Sequence, residues 1–241
     1  MSQKSFVELF DMVRIINMTS RTDRREETIQ EFQRGHLPVG TDQIDFFPAV
    51  TPDAADGFST RGAKGCYMSH LEILREAQAR KARHLLVLED DIAFVRDINM
   101  LGADAFRKLQ ELDWDLAYFG HILSSHRNNP EWRIADQPMF TSHCYAVNGK
   151  ALPELIRLLE GILTRPPGDP QGGPMHYDAA LNWFFRHNVN IKAYYYTYCL
   201  GFQRPSATNI HKPGTLDRLP LISGLLSFAR YIKREYLRMV R

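Results

Sequence analysis

The chain has 241 residues, 44% hydrophobic and 24% charged, enough for one large α/β domain or two small ones with a sizeable core. A formal net charge of +2 gives no global case for nucleic acid as a partner. Cys66, Cys144 and Cys199 are too scattered for a zinc pattern or a disulfide framework, and no stretch approaches the ~20 apolar residues of a spanning helix.

Met12 to Met18 (MVRIINM) predicts a first strand, with Asn17 near its end and Thr19 to Arg21 as the loop that follows. Arg24 to Arg34 predicts a helix with Thr22 or Asp23 as its N-cap. Ile44 to Val50 predicts a second strand, short or at an edge because of Pro48. Asp53 to Gly65 is loop-like. Cys66 to Ala82 has helical spacing and leads into a strand over Leu85 to Leu88. A helix over Ala105 to Leu112, a strand over Leu116 to Phe119 and a polar, irregular stretch over Ser124 to Gln137 come next. Cys144 to Val147 predicts a strand and Lys150 to Glu160 a helix. Gly161 to Pro174 is rich in proline and glycine and predicts a functional loop. His176 to His187 predicts an apolar helix with Asp178 in its first turn, followed by a β-rich Ile191 to Leu200 and an irregular Gly201 to Gly214. Leu219 to Arg241 combines an apolar helical stripe with Arg230, Lys233, Arg234, Arg238 and Arg241, the pattern of an interfacial helix on an anionic membrane. The alternation predicts an α/β class with a mainly parallel central sheet flanked by helices, as a domain over 1–215 and a basic amphipathic helix over 216–241. The N-terminus lacks the succession of a signal peptide, so a cytoplasmic protein, peripheral on the inner face of the membrane, is expected.

The most informative segment is Leu85-Leu86-Val87-Leu88-Glu89-Asp90-Asp91, an apolar run ending on three carboxylates. Such a run suits a strand buried on both faces, and ligands of open α/β sheets collect beyond the carboxyl ends of strands. Three adjacent acids repel one another unless a cation lies among them, and hard divalent cations bridge carboxylates to phosphates. If strand geometry persists, Glu89 and Asp91 share a side as metal ligands while Asp90 faces elsewhere, toward a ribose or into support of the site. Arg21, Arg24 and Arg25 follow the first strand, where guanidinium groups suit phosphate; solvated surface charge is the competing reading, and the one preferred for Arg25. Asn17 either hydrogen-bonds a nucleoside or caps the loop. Ser69 and His70, read as near a helix start, either hold part of an anionic ligand or, for His70, fix the acidic strand end by a buried hydrogen bond.

Four stretches in order resemble glycosyltransferase family 25, the lipooligosaccharide and collagen-type sugar transferases. They are Ile15 to Met18 with Arg21 to Arg25, Gly65-Cys66-Tyr67-Met68-Ser69-His70-Leu71, Leu86 to Asp91, and Gln203 with Ser206 to Ile210. The resemblance implies a GT-A-like nucleotide-binding fold and inverting transfer of a hexose, commonly galactose from UDP-galactose, to a lipooligosaccharide or similar lipid-linked glycan. It implies Mn2+ or Mg2+ held by Glu89 and Asp91, with a late histidine, His211, completing the shell and His121 as its rival. Asn17, Arg21, Arg24, Ser69, His70, Glu89, Asp90 and Gln203 would bind the donor, and Asp178 would be the general base, against a reading in which it only caps its helix. A metal-dependent phosphoesterase and a non-catalytic glycan- or lipid-binding domain are the alternatives.

Overall fold

The computed structural model describes residues 4–204. His211, the Ser206 to Ile210 stretch, the boundary at 215 and the helix expected over 216–241 lie outside the described residues.

The α/β class expected from the alternation of elements is the one observed. A seven-stranded sheet has the order β2-β1-β3-β7-β5-β8-β6, built from β1 (Met12–Asn17), β2 (Ile44–Pro48), β3 (His84–Glu89), β5 (Leu116–Tyr118), β6 (Trp132–Ile134), β7 (Cys144–Asn148) and β8 (Ala193–Tyr196). β1, β2, β3, β5 and β8 run in one direction, and β7 and β6 oppose them. β2 lies at an edge, as Pro48 requires. The chain passes from β1 out to β2 and back across to β3, so a crevice opens beyond the carboxyl ends of β1 and β3. Ile16 pairs with Glu89 there, which places Asn17 beside the acidic turn.

β3 shows why that position is firm. Leu85 and Val87 face one side, packed with Leu71 and Leu74 of α2 (Arg61–Ala79) and Leu155 and Leu159 of α4 (Leu152–Thr164). Leu86 and Leu88 face the other side, with Phe32 of α1 (Thr22–Arg34) and Leu109 of α3 (Ile98–Gln110). All four β3 side chains are fully buried, and each contributes about 2 kcal/mol of apolar burial. That anchorage outweighs a costly cluster of charge at the strand's end.

Several boundaries differ from expectation. Thr22 and Asp23 lie inside the first turn of α1, with Arg21 at the cap position. α2 begins at Arg61, not Cys66, because Thr60 Oγ1 accepts from the Ala63 amide at 3.0 Å and starts the helix through two glycines. α3 starts well before Ala105, and α4 carries Gly161 as far as Thr164, so the proline-rich loop begins later than expected. The stretch 124–137, expected to be irregular, contains β6, where Trp132 packs edge-on against Phe119 at 5.0 Å. Two unexpected strands, β4 (Ile92–Phe94) and β9 (Gly201–Gln203), form a small antiparallel sheet that folds the late segment over the acidic turn. α5 (Tyr177–His187) has His176 at its cap.

Candidate active site

The acidic triplet straddles a strand end and a turn. Glu89 is the last residue of β3, while Asp90 and Asp91 form the turn into β4, so simple strand alternation does not govern the three side chains. Asp90 is buried and pinned. Arg24 Nη1 donates to its Oδ1 at 2.8 Å and Asn17 Nδ2 to its Oδ2 at 2.8 Å. Its backbone is held as firmly: its amide donates to the Ile16 carbonyl at 3.1 Å, and its carbonyl accepts from Arg204 Nη2 at 2.6 Å.

Glu89 and Asp91 are treated differently. Glu89 Oε2 accepts from Gln203 Nε2 at 3.1 Å. Burial, then the Asp91 and Asp90 charges, push the Glu89 carboxyl up to about 8. Burial pushes Asp91 up to about 6 against the opposing pull of Arg24, and its Oδ1 is buried with no partner among the described residues. A pair of raised carboxylates with an orphaned oxygen fits a cation. Among the described residues no group of three or more His, Cys, Asp or Glu side chains could enclose one. The residues therefore suit a metal that takes one or two carboxylates and fills its remaining positions from phosphate and water.

Beside the turn lies a cavity of about 430 Å³, lined by Ile16, Met18, Arg21, Arg24, the 49–52 loop, Arg61, Gly62, Gly65, Cys66, His70, Glu89 and Asp90. Its loop wall is clamped to α2. A Cβ on Gly65 would lie 2.5 Å from the Val50 carbonyl oxygen, so only glycine permits the approach. Ser69 Oγ donates to the Gly65 carbonyl at 2.7 Å and accepts from the Val50 amide at 2.8 Å. Ser69 is thus fully buried in mid-helix and shapes the cavity wall; the expected helix N-terminus lies at Arg61, two turns earlier. His70 is likewise in mid-helix; it lines the cavity, and its buried hydrogen bond runs to Tyr145 Oη of β7 at 3.0 Å rather than to the acidic strand end. Arg21 lines the cavity while paired to Asp23 at 2.7 Å. Arg25 lies with its guanidinium 4.1 Å over the Phe46 ring, away from the lining residues. Asn17 supports Asp90 and the Arg21 carbonyl rather than lining the cavity.

Glycosyltransferase family 25, described as LPS biosynthesis protein, is the family whose model matches residues 10–155, more than half of the chain. The chain belongs to glycosyltransferase family 25. This family 25 chain is 34% identical over 131 residues to procollagen galactosyltransferase 1-A of Xenopus laevis, a stretch covering 46% of this chain and 21% of that protein. It is 28% identical over 131 residues to inactive glycosyltransferase 25 family member 3 of Homo sapiens, covering 46% of this chain and 22% of the relative. The match thus spans about a fifth of the length of these curated relatives. Its backbone is also similar to mouse xyloside xylosyltransferase 1, with a TM-score of 0.47 and 8% identity, over 84% of this chain and 99% of the other. The matched residues hold Asn17, Arg21, Arg24, Ser69, His70 and the acidic turn; Asp178, Gln203 and Arg204 lie beyond them.

Asp178 sits in the first turn of α5, its Oδ1 accepting from the Ala179 amide at 2.8 Å. A helix N-terminus lowers a carboxyl, but here burial dominates and raises it. Asp178 lines a second, more open cavity of about 540 Å³ with Phe140, His176, Asn182, Trp183, Arg186 and His187. The Cys66 thiol lies within the electrostatic reach of Glu89, Asp178 and Asp91, and it is pushed up first by burial and then by those three carboxylates.

His121, the rival metal ligand, serves the fold instead: its ring is buried and Nε2 donates to the Tyr196 carbonyl at 2.7 Å. Arg204 was not anticipated from sequence. It is buried, pairs with Glu27 at 3.0 Å, and its amide donates to the Asp91 carbonyl at 2.7 Å. Only its adjacency to Gln203 in the late motif hinted at it. Among the described residues no helix is long and apolar enough to cross a membrane.

Proposed function

We propose that this chain is a metal-dependent inverting glycosyltransferase that moves a hexose, galactose from UDP-galactose, onto a glycan of a lipooligosaccharide or similar glycoconjugate. The observation that carries this reading is the raised Glu89–Asp91 pair, with its orphaned Asp91 Oδ1, in a turn whose Glu89 and Asp90 line a cavity together with Arg21 and Arg24. A nucleoside diphosphate needs cationic partners for phosphate and an apolar wall for the base, and that cavity offers both. Bound manganese or magnesium would supply Lewis-acid stabilisation of the departing diphosphate. Glu89 and Asp91 would hold it, and His211 stays a proposed ligand.

The chain's own residues account for the rest. Arg24, fixed by Asp90, and Arg21 orient the phosphates and stabilise their growing negative charge. Asp178, at the second cavity, takes the proton from the acceptor hydroxyl as its oxygen forms the new bond to the anomeric carbon. The anomeric carbon–phosphate oxygen bond breaks on the opposite side, and its electron pair leaves with UDP. Gln203 holds Glu89 in place across the small sheet. The basic helical periodicity of 216–241 supports docking on an anionic cytoplasmic membrane face, near a lipid-linked acceptor.

One of the chain's relatives is named inactive, so the decisive experiment is catalytic. Purified protein with UDP-galactose and manganese should release UDP slowly without acceptor, and Asp91→Asn should abolish the release. Manganese-dependent cleavage of UDP-galactose to UMP and galactose 1-phosphate, with no UDP freed, would favour the metal-dependent phosphoesterase instead, and tight UDP binding with no turnover would favour a binding domain.

A further inference from the structure

His70 is fully buried in α2 and lines the proposed donor cavity. Three rings from three elements meet there. His70 Nδ1 lies 3.0 Å from Tyr145 Oη of β7, which lies 2.7 Å from Tyr177 Oη of α5. The imidazole also stacks flat on the Tyr177 ring, with centroids 3.9 Å apart and planes 4° apart. Its Nε2 is buried with no partner among the described residues.

Hydrogen accounting gives this chain a direction. Each tyrosine hydroxyl carries one hydrogen, and a neutral imidazole carries one. If Tyr177 donates to Tyr145 and Tyr145 donates to Nδ1, every hydroxyl hydrogen is used and a single N–H remains at Nε2. In the reverse direction Nδ1–H donates to Tyr145 and Tyr145 to Tyr177. That leaves the Tyr177 hydrogen without an acceptor among the described residues and Nε2 as a bare buried lone pair. Two buried orphans cost more than one, at about 1–3 kcal/mol each. A doubly protonated ring is disfavoured as well, since Nδ1 faces a tyrosine hydroxyl rather than an anion and the ring is fully buried.

We infer that Tyr177 and Tyr145 are positioning residues that lock His70 as the neutral Nε2–H tautomer, so that it presents one N–H to an oxygen of the bound sugar nucleotide. The inference rests on the donor reading of the cavity. It makes His70 a hydrogen-bond donor and leaves proton removal to Asp178, the residue next to Tyr177 on α5. A change in how α5 seats, where the acceptor is proposed to bind, would then be felt in the donor cavity through this chain.

The tautomer can be read without turnover. In protein labelled with [15N]histidine, His70 is assigned by the signals lost in His70→Gln. The expected spectrum at pH 7 has a bare Nδ1 and a protonated Nε2. UDP-galactose with manganese should shift Nε2 and leave Nδ1 nearly in place. Tyr145→Phe should mix the tautomers and raise the UDP-galactose KM about tenfold with a smaller change in kcat, and Tyr177→Phe should do the same more weakly. A wild-type Nδ1–H tautomer, or Tyr145→Phe with an unchanged spectrum and KM, would overturn the inference. A protonated Nε2 combined with no thermal shift by UDP-galactose would instead overturn the donor reading, and with it the ligand assigned to His70.

Discussion

Two charged clusters touch β1, and the fold treats them in opposite ways. Inside the strand, the buried Arg14 has its Nη2 and Nε on Glu76 at 2.6 and 3.0 Å and its Nη1 on the Val13 carbonyl at 2.9 Å. Glu76 is also paired to Arg80 at 3.0 Å. Every charge there has a partner, and the pair ties α2 to the sheet. At the strand's end, Asn17 and Arg24 satisfy Asp90 alone, while Glu89 and Asp91 are left raised and Asp91 Oδ1 unpaired. On the proposed reading, that difference marks the turn as the functional site and Arg14–Glu76 as a structural pair.

The comparison breaks if the two clusters respond alike to mutation. Asp91→Asn should lower kcat/KM about 100- to 1000-fold while leaving Tm undiminished, since it removes a charge that burial and Asp90 disfavour. Glu89→Gln should behave similarly. Glu76→Ala should do the reverse: about 3 kcal/mol of unfolding free energy lost in a urea titration, with little change in kcat per folded molecule. A large catalytic loss there, or a large stability loss at Asp91, would erase the distinction.

Acid titration sharpens the same contrast through His70. Burial pushes its pKa down to about 3 from an unfolded value near 6.5, so between those values the unfolded state binds the extra proton. The contribution is fully present above about pH 6.5 and is lost as the pH falls toward 3. From pH 6.5 to pH 5 wild type should lose about 2 kcal/mol more stability than His70→Phe, measured by urea unfolding at each pH. Gly65→Ala sets a Cβ 2.5 Å from the Val50 carbonyl oxygen, a backbone atom that must be pushed aside, so it should cost about 1–3 kcal/mol of unfolding free energy, and the displaced loop should show as a raised donor KM.

Much of this site was readable before any coordinates. The unbroken apolar run of β3 announces burial on both faces, and the acids at its end stand where α/β sheets bind ligands. The resemblance named Asn17, Arg24 and Gln203 as donor-binding residues, and in the structure all three contact the acidic turn. What escaped was set by contacts distant in sequence. Two glycines in its first five residues disguised the start of α2, whose Gly65 is needed only because Val50 packs against it. Asp90 was expected to alternate with its neighbours, but the turn into β4 frees it to meet Arg24. Arg204 reaches the turn only because β9 pairs with β4, and three residues of glycine, phenylalanine and glutamine do not spell a strand. The Tyr145–Tyr177–His70 chain joins three elements that no local pattern relates.

The most direct test is a crystal of the full chain grown with manganese and UDP, with anomalous data collected at the manganese edge. The account predicts one anomalous peak bridging Asp91 Oδ1 and Glu89 to the diphosphate, with the nucleoside in the cavity beside Arg21, Arg24 and His70. Manganese and UDP bound together elsewhere, with residues 89–91 unchanged, would contradict it.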